Sequence, residues 1–441
     1  MSAKWFGTDG IRGEVGKVIH PEVILKLGWA AGKVFSEMAH DRARVIIGKD
    51  TRVSGYLLES ALESGLSAAG VDIDLLGPMP TPGVAYLTHA LRATAGIVIS
   101  ASHNPFTDNG IKFFLPGGRK LSKEKEAEIE AYMNLPVELV PSHFLGKASR
   151  LGGAPERYLE YCKAKLDSQY SLQGLKIVLD CANGATYSIA PDVFSELGAN
   201  VEPIFVNPNG FNINDRCGST SPEELVKAVL EARADVGFAF DGDGDRVVAV
   251  TNKGKVLSGD NFLYLLMQQN PHQKGMVGTT MSGLGLELGL NAQGKSLIRA
   301  PVGDKHVMQK LRELDWAIGG EPSGHIINRD KMITGDGIIA AIELVNAMLS
   351  KNKSLSDFEL PQAFPSRMLN VPITNKPNPE SIQKINTQVH SIQQELGDYY
   401  RVVVRPSGTE PVVRVYVEGE NEVVVQRSSE SLMNIIHETV V

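Results

Sequence analysis

The sequence contains little of what marks several other classes of protein. Only three of its 441 residues are cysteine, at positions 162, 181 and 217, and none lies in a CxxC pair. This small, odd number argues against a disulfide framework and a structural zinc site, and is typical of a reducing compartment. The net charge of −7, from 44 Lys and Arg against 51 Asp and Glu, gives no general attraction for nucleic acid or an anionic membrane. A local basic cluster must therefore hold any anionic ligand.

Long apolar segments are also missing. No run approaches the roughly 18 apolar residues that cross a bilayer, and the opening MSAKWFGTDG lacks the apolar core of a secretory signal. We therefore expect a cytoplasmic protein. What the chain does have is length and glycine: 441 residues predict several domains, and 44 glycines suggest many tight loops in an α/β protein.

A strand-loop-helix pattern occurs three times along the chain, as expected for parallel α/β units. The copies open with RVIIGKD from Arg44, KIVLDCANG from Lys176 and MVGTT from Met276. Their predicted helices cover residues 55–69, 188–197 and 283–290. In each copy a later strand ends in a polar loop, in GIVISASHNP, DVGFAFDGDGDR and WAIGGEPSGH. Ligands in open α/β sheets gather beyond the carboxyl ends of strands, so we expect these loops to surround one cleft.

The C-terminal part of the chain differs from the three copies. A proline-bearing linker with an edge strand precedes a predicted helix over 380–396, the strands YRVVVRPSG and VVRVYVEG, and a final helix over 426–439. The sequence thus predicts three α/β domains, built on mixed sheets, and a smaller α+β domain. The predicted boundaries are 1–150, 151–253, 254–364 and 365–441.

The loop DGDGD places three carboxylates, Asp241, Asp243 and Asp245, at alternating positions directly after an apolar strand. The intervening glycines allow tight curvature, and three carboxylates so close together repel unless a cation neutralises them. Hard oxygen ligands with positions left for a phosphate oxygen suit Mg²⁺. An EF-hand is disfavoured because the bidentate Glu at the end of such a loop is missing.

SASHNP offers the hydroxyl of Ser102 in a loop that leaves a buried strand. A hydrolase would need a GxSxG elbow before a helix, and none precedes Ser102. Beside a metal loop, however, a serine becomes a credible carrier of a phosphoryl group, because Mg²⁺ neutralises the charge of the transferring phosphate. His103 is interpreted as a residue that positions this loop.

Several other loops carry candidate binding groups. RPSGTEP supplies Arg405 and hydroxyls for a phosphate dianion, and GEPSGH supplies groups suited to sugar hydroxyls. Basic residues in glycine-bearing loops are candidate phosphate contacts: Arg12, Lys49, Arg52 and Lys112.

Together these motifs resemble those of the α-D-phosphohexomutases, in the same order and over the whole chain: FGTDGIRG, GKDTR, SASHNPFTDNGIK, DGDGDR, GEPSGH and RPSGTEP. The resemblance implies four domains around a central active-site cleft. In chain order they would bear the phosphoserine, the metal, the sugar-recognition loop and the C-terminal phosphate loop.

The resemblance also implies residue roles. Ser102 would be the phosphoserine, and Asp241, Asp243 and Asp245 would bind one Mg²⁺ together with a phosphoserine oxygen. The catalytic group would further include Arg12, Lys112 and His325. Glu321 and Ser323 would contact sugar hydroxyls, and the substrate's distal phosphate would be held by Arg405, Ser407, Gly408 and Thr409.

The activity implied is an isomerisation of a sugar phosphate through a 1,6-bisphosphate, with a hexose 1,6-bisphosphate as activator. The opening FGTDGIRG and the SASHNPFTDNGIKFF stretch resemble members that interconvert glucosamine 6-phosphate and glucosamine 1-phosphate, which supply amino-sugar (UDP-N-acetylglucosamine) precursors. Pro322 departs from the glutamine more usual there. The alternative is a mannose or glucose phosphate substrate with the same mechanism. We expect a monomer or homodimer without nucleic-acid or membrane partners.

Two other classes of protein share single features with this sequence. A phosphatase with an aspartate nucleophile would release phosphate, but such enzymes carry Thr or Val where Asp245 stands. A non-catalytic sugar-phosphate or metal-binding protein would keep its function after Ser102→Ala.

Overall fold

The computed structural model describes residues 5–7, 10–373, 378–406 and 412–440. Within these ranges no helix is both long and apolar enough to span a membrane. By compactness the chain divides into two units: residues 1–279 with 300–359, and residues 280–299 with 360–441. The domain boundaries predicted above stay a prediction.

The first sheet has seven strands: β1 (Ile11–Glu14), β2 (Arg44–Lys49), β3 (Asp72–Pro78), β4 (Ala95–Ile99), β5 (Asp108–Leu115), β6 (Arg119–Lys120) and β7 (Ala148–Arg150). Their order is β1-β5-β4-β2-β3-β7, with β6 on β5. The helices here are α1 (Pro21–Met38), α2 (Ser54–Ala68), α3 (Thr81–Ala90), α4 (Lys123–Tyr132) and α5 (Ala154–Lys163). Every residue of β4 is buried, as expected for a central strand covered on both faces.

Close helix packing covers this sheet. A Cβ on Gly65 of α2 would overlap the backbone of α1 at Leu25 and Trp29, so the two helices approach backbone to backbone at this glycine. The apolar faces of both helices join the strand side chains in one core.

The second sheet has the order β12-β11-β10-β8-β9. Its strands are β8 (Lys176–Asp180), β9 (Asn200–Ile204), β10 (Val236–Phe240), β11 (Val247–Thr251) and β12 (Val256–Leu257), with helices α6 (Ile189–Glu196) and α7 (Glu223–Ala232). The third region contains α8 (Gly259–Gln269), β13 (Gly275–Thr279), α9 (Leu284–Asn291), β14 (Ser296–Ala300), α10 (Asp304–Leu314), β15 (Ile318–Gly320), β16 (Ile326–Asn328) and α11 (Gly337–Lys351).

One arrangement recurs in all three regions. A first strand runs parallel to a later strand, which then turns back into an antiparallel neighbour: β2 with β4 and β5, β8 with β10 and β11, and β13 with β15 and β16. Each polar loop singled out in the sequence is the connection at that turn. The predicted triplication is thus confirmed, and the three loops occupy equivalent places.

The C-terminal sheet is antiparallel, in the order β17-β19-β18, and contains β17 (Ser366–Pro372), β18 (Tyr400–Pro406) and β19 (Val412–Gly419). Its helices are α12 (Pro379–Leu396) and α13 (Glu422–Val440). Helix α9 belongs to the same compact unit, since the backbone N–H of Leu284 donates to Glu418 at 3.0 Å. The predicted fold class, three α/β regions on mixed sheets with a smaller α+β region, is confirmed.

The three cysteines are free thiols, and all are buried. Burial is the main reason that the pKa of Cys217 rises to about 12 and that the pKa values of Cys162 and Cys181 lie above their usual range. These thiols are therefore packing residues.

Candidate active site

The loop after β4 presents Ser102 in an uncommon conformation. Ser102 is 2% exposed and has a φ of 52°, in the left-handed region that non-glycine residues rarely adopt. Its backbone N–H donates to the hydroxyl of Ser100 at 2.9 Å, and that hydroxyl donates to Asp50 at 2.7 Å. A side-chain network from the end of β2 therefore holds the serine in place.

Arg52 is the centre of that network. Its guanidinium is fully buried, donates to Asp50 at 2.7 Å, and contacts loop carbonyls at Ser102 (2.9 Å) and Asn104 (2.8 Å). It also donates to the carbonyls of Pro105 and Asp108. With its donors turned to the backbone, Arg52 clamps the serine loop.

The prediction that Lys49 and Arg52 contact phosphate is wrong. The ammonium of Lys49 is buried against Glu59 in an ion pair, and the Arg52 donors are used within the protein. Buried cations need such partners, so neither is left to bind substrate.

The carboxylates that follow β10 converge. One ligand oxygen from each of Asp241, Asp243 and Asp245 lies within 4.8 Å of the others, and all three residues are buried. The Oγ of Ser102 donates to Asp241 at 2.5 Å, so the serine and metal loops meet. Oδ1 of Asp243 and Oδ1 of Asp245 are buried and have no hydrogen-bond partner among the described residues. Unsatisfied anionic oxygens converging in this way fit a divalent cation.

Mutual repulsion and neighbouring cations shift the pKa values of these carboxyl groups in different directions. Burial, with the charges of Asp245 and Asp243, raises the pKa of Asp241 well above its usual range. Burial works in the same direction on Asp245, but nearby positive groups, Lys112 foremost, lower its pKa well below the usual range. Lys112 donates to Asp243 at 2.7 Å and lies 3.6 Å from Asp245. A cation bound among them would relieve the repulsion that helps to raise the pKa of Asp241.

His325 comes from the third loop, at the start of β16. Its Nδ1 lies 3.7 Å from Asp245 and its Nε2 lies 3.8 Å from Asp304, which in turn contacts Lys120 at 2.6 Å. Burial disfavours the imidazolium, but Asp245 and then Asp304 outweigh it and raise the pKa of His325 to about 9. The third loop thus brings a positively charged imidazole to the metal loop.

The remaining predicted site residues of this unit differ in how far they are exposed. Glu321 is buried and accepts the backbone N–H of Gly303 at 3.0 Å, whereas Ser323 is exposed. Arg12 is exposed on β1, beside the strand that carries Lys112.

His103 lies next to the serine, with its Nδ1 3.3 Å from Ser102 Oγ. Burial, aided by the charges of Arg246 and Arg12, lowers the pKa of His103 to about 4. A neutral imidazole with this placement fits the predicted positioning role.

Of the C-terminal phosphate loop only its start is described. Arg405 is half-buried near the end of β18, opposite Arg414 of β19. Burial and the charge of Arg414 lower the pKa of Arg405, so an anion here would be favoured by both guanidinium groups. Ser407, Gly408 and Thr409 lie outside the described residues.

Three site residues were missed from sequence. Thr81 donates to Asp243 at 2.6 Å, Asn214 donates to the carbonyl of Ser102 at 2.9 Å, and Asp304 faces His325. Asp304 alone carried a usable signal, because it follows strand β14 in the same way that other site loops follow theirs. Nothing local marks Thr81 or Asn214.

Comparison with known proteins agrees with this geometry. Models of the phosphoglucomutase/phosphomannomutase family match four successive regions: α/β/α domain I over residues 3–136, domain II over 156–254, domain III over 258–364 and the C-terminal domain over 368–435. The chain belongs to this family and is an isomerase of the phosphohexomutase class.

Individual relatives and solved structures show which members of the family this chain is similar to. A phosphoglucosamine mutase of Legionella pneumophila (strain Lens) is 52% identical, over 98% of this chain and 96% of its own. Among solved structures, a phosphoglucomutase/phosphomannomutase family protein from Burkholderia thailandensis superposes with a TM-score of 0.82 at 24% identity, covering 99% of this chain and 97% of that one. The N-acetylphosphoglucosamine mutase of Aspergillus fumigatus, solved with GlcNAc-6P and magnesium, has a TM-score of 0.72 at 15% identity, covering 100% and 96%. The two structures establish the shared fold.

Proposed function

We propose that this chain is a phosphoglucosamine mutase, which interconverts glucosamine 6-phosphate and glucosamine 1-phosphate through a phosphorylated Ser102. The observation that carries the proposal is the contact of Ser102 Oγ with Asp241 inside a buried three-carboxylate cluster. The choice of substrate is supported by relatives named phosphoglucosamine mutase, which are about 50% identical to this chain over nearly its full length.

The reaction has two phosphoryl transfers. The free sugar hydroxyl attacks the phosphorus of phosphoserine 102, the Ser102 Oγ–P bond breaks, and the hydroxyl proton passes to the surrounding cluster. The resulting 1,6-bisphosphate turns around, and Ser102 Oγ gives up its proton to the cluster and attacks the other phosphorus. The bond between that phosphorus and its sugar oxygen breaks, and the sugar oxygen takes a proton from the cluster, which regenerates the phosphoenzyme and releases the isomeric monophosphate. A clamped serine loop favours both steps because the reacting oxygen is held in one place.

Asp241, Asp243 and Asp245 would hold Mg²⁺ together with a phosphoserine oxygen. When bound, the ion supplies positive charge for the phosphoryl group and removes the repulsion between the carboxylates. Around it, Lys112 and His325 place further positive charge beside the carboxylates, and Arg12 lies on the neighbouring strand. These three residues are proposed to stabilise the transferring group and exchange its proton.

The substrate would be held at two ends. Glu321 and Ser323 are proposed to contact sugar hydroxyls near the reacting end. Arg405, with Ser407, Gly408 and Thr409, is proposed to hold the distal phosphate, whichever of the two phosphates that is. A hexose 1,6-bisphosphate is the proposed activator, the proposed location is cytoplasmic, and the proposed assembly is a monomer or homodimer.

The test is a coupled assay with Mg²⁺ and catalytic hexose 1,6-bisphosphate, comparing kcat/KM for glucosamine 6-phosphate, glucose 1-phosphate and mannose 1-phosphate. A preference for glucosamine 6-phosphate is expected. A preference for glucose or mannose phosphate would keep the mechanism and overturn the substrate, and Pro322 would then be the first residue to exchange for Gln.

Ser102→Ala tests the mechanism itself. It removes the phosphoryl carrier, so kcat should fall by at least about 10³-fold, and mass spectrometry should find phosphate on wild-type Ser102 only. Ser142→Ala, on the exposed segment 142–144, is the matched control and should keep full activity. Turnover by the Ser102→Ala variant near the wild-type rate would contradict the proposal.

A further inference from the structure

A cavity of about 320 Å³ lies outside the three site loops. One wall is the segment at the β5–β6 turn and just after it, residues 118–122, and the other is a face of α10 formed by Lys305, Met308, Gln309 and Arg312. We call this the α10 pocket. Its volume is at the lower end of the range of small-molecule sites, so it accommodates a ligand of one ring and one phosphate.

The lining of the pocket includes two guanidinium groups that have no acidic partner in the part of the chain that the structure describes. Arg119 and Arg312 are exposed and line the pocket, and neither forms an ion pair among the described residues. Nε of Arg119 donates to the Pro116 carbonyl at 3.3 Å. Arg312 is influenced by the like charges of Arg329 and Arg119, whose repulsion adds to burial in lowering its pKa.

Two other cations near the pocket already have hydrogen-bond partners within the protein. Lys305 donates to the carbonyl of Leu121 and to Glu126, and Arg329 donates to the carbonyls of Leu311 and Trp316. The lining also contains two carboxylates, but Glu313 accepts from Gln309 and Lys310, and Asp304 is paired with Lys120. An anion from outside would therefore relieve the repulsion between Arg119 and Arg312. Paired guanidiniums bind phosphate bidentately, which selects a phosphate over a single point charge.

Other residues of the lining are apolar. Leu121 and Ile327 are buried in its lining, with Met308 beside them. The side chains of Gln309 and Thr334, which also line the pocket, supply an amide and a hydroxyl. An apolar surface with a few hydrogen-bonding groups suits a flat heterocyclic ring.

We propose that the α10 pocket binds a nucleoside monophosphate, with its phosphate on Arg119 and Arg312 and its base against Leu121, Met308 and Ile327. The proposal assigns a second ligand site, distinct from the three-carboxylate cluster. It does not depend on which sugar phosphate the enzyme isomerises.

The pocket nevertheless borders the catalytic cluster. Lys120 and Asp304 are in its lining, and Asp304 is the group 3.8 Å from Nε2 of His325. Lys120 follows Arg119 in the chain and also lines the pocket, and its ammonium contacts Asp304 at 2.6 Å. Occupancy of the pocket is therefore positioned to alter the surroundings of His325.

The test is isothermal titration calorimetry of the full chain with adenosine 5′-monophosphate and uridine 5′-monophosphate, in buffer without phosphate and with glucose 1,6-bisphosphate saturating the active site. We expect binding with a Kd below about 1 mM. Adenosine and uridine without phosphate should bind at least about 10-fold more weakly, as should either nucleotide to the Arg119→Ala/Arg312→Ala variant.

Arg216→Ala is the matched control. The Arg216 side chain is 91% exposed and does not line the pocket, so the affinity should stay at the wild-type value. Melting temperatures of all variants confirm that they are folded. An undiminished affinity in the double variant, no binding to the wild type, or displacement of the nucleotide by glucose 1,6-bisphosphate would each overturn the proposal, while the mutase assay stands separately.

Discussion

The serine loop and the metal loop lie at equivalent turns of two related sheets, yet they are supported in different ways. The serine loop is held by side chains, through the guanidinium of Arg52 and the chain from Asp50 to Ser100. The metal loop is held largely by backbone: its carbonyls at Gly242, Asp243 and Gly244 accept N–H groups from three other segments. A single side-chain substitution can therefore disrupt the support of the serine loop, whereas the backbone hydrogen bonds that support the metal loop would remain after such a change.

The strand-end aspartates show the same contrast. Asp50 directly follows β2 and Asp180 ends β8, the strands that open the recurring arrangement in the two sheets. Each accepts the backbone N–H two residues further on. Asp50 also binds Arg52. Within the described parts of the chain, Asp180 accepts only the backbone N–H groups of Ala182 and Gly218. The same position therefore holds a buried ion pair in one copy and a backbone cap in the other.

Arg52→Lys should produce the largest effect. Lysine keeps a positive charge near Asp50 but cannot reach four carbonyls from one planar group, so the serine loop loses its clamp. We expect kcat to fall by about 10²-fold, because small displacements of reacting groups cost that much. The measurement is kcat with saturating substrate and bisphosphate. Arg233→Lys, on an exposed turn, is the control, and equal kcat values for both variants would show that the clamp is unnecessary.

Thr81→Val addresses the metal loop where it does depend on a side chain. Valine keeps the shape of threonine but removes the hydroxyl that donates to Asp243 at 2.6 Å. Loss of such an outer contact should weaken metal affinity by about 10- to 100-fold. The readout is the Mg²⁺ concentration for half-maximal rate, compared with Thr94→Val. An unchanged Mg²⁺ requirement would mean that the Asp243 carboxylate is positioned by its other contacts.

Gly242→Ala tests the backbone support. A Cβ on Gly242 would lie 2.6 Å from the Ser102 carbonyl oxygen and 2.8 Å from Nδ2 of Asn214, so the two loops would have to separate. Overpacking of this kind costs about 1 to 3 kcal/mol. Urea unfolding should show the loss. Gly152→Ala, where a Cβ meets nothing within 4 Å, should be neutral, and equal stability of the two variants would contradict the close packing.

Asp180→Asn should have the smallest effect, visible as a change in pH dependence. Burial raises the pKa of Asp180 to about 7, above its unfolded value of 3.8. The folded state thus binds a proton more tightly, and this contribution to stability is complete below the unfolded pKa and lost as pH rises through the folded one. The variant should therefore lose less stability than the wild type between pH 4 and pH 8. Parallel Tm curves would contradict the raised pKa.

The elements of the fold were largely predictable, because they rest on local patterns. The helix predicted over 188–197 is α6, the helix predicted over 380–396 is α12, and the three polar loops follow the expected strands. The metal loop was likewise predictable, because its three carboxylates lie within five consecutive residues and are separated by glycines.

Support of the site was not predictable in the same way. Thr81 and Asp243 are 162 positions apart, so no local pattern links them. Arg52 was assigned to phosphate because a basic residue in a polar loop usually faces solvent. Its actual role required knowing that the carbonyls of residues 102–108 lie beside the end of β2. Such contacts depend on which strands become neighbours, which single-sequence periodicity does not specify.

The buried cysteines have a practical consequence. Because all three thiols are enclosed and held in their protonated form, the native chain offers no readily reactive site to a maleimide. A cysteine introduced at an exposed position, such as Tyr399 or Val423 of the C-terminal unit, would therefore be labelled selectively without first removing the native ones. A fluorophore attached in this way could report on the surroundings of the C-terminal unit during turnover, with all three native cysteines in place.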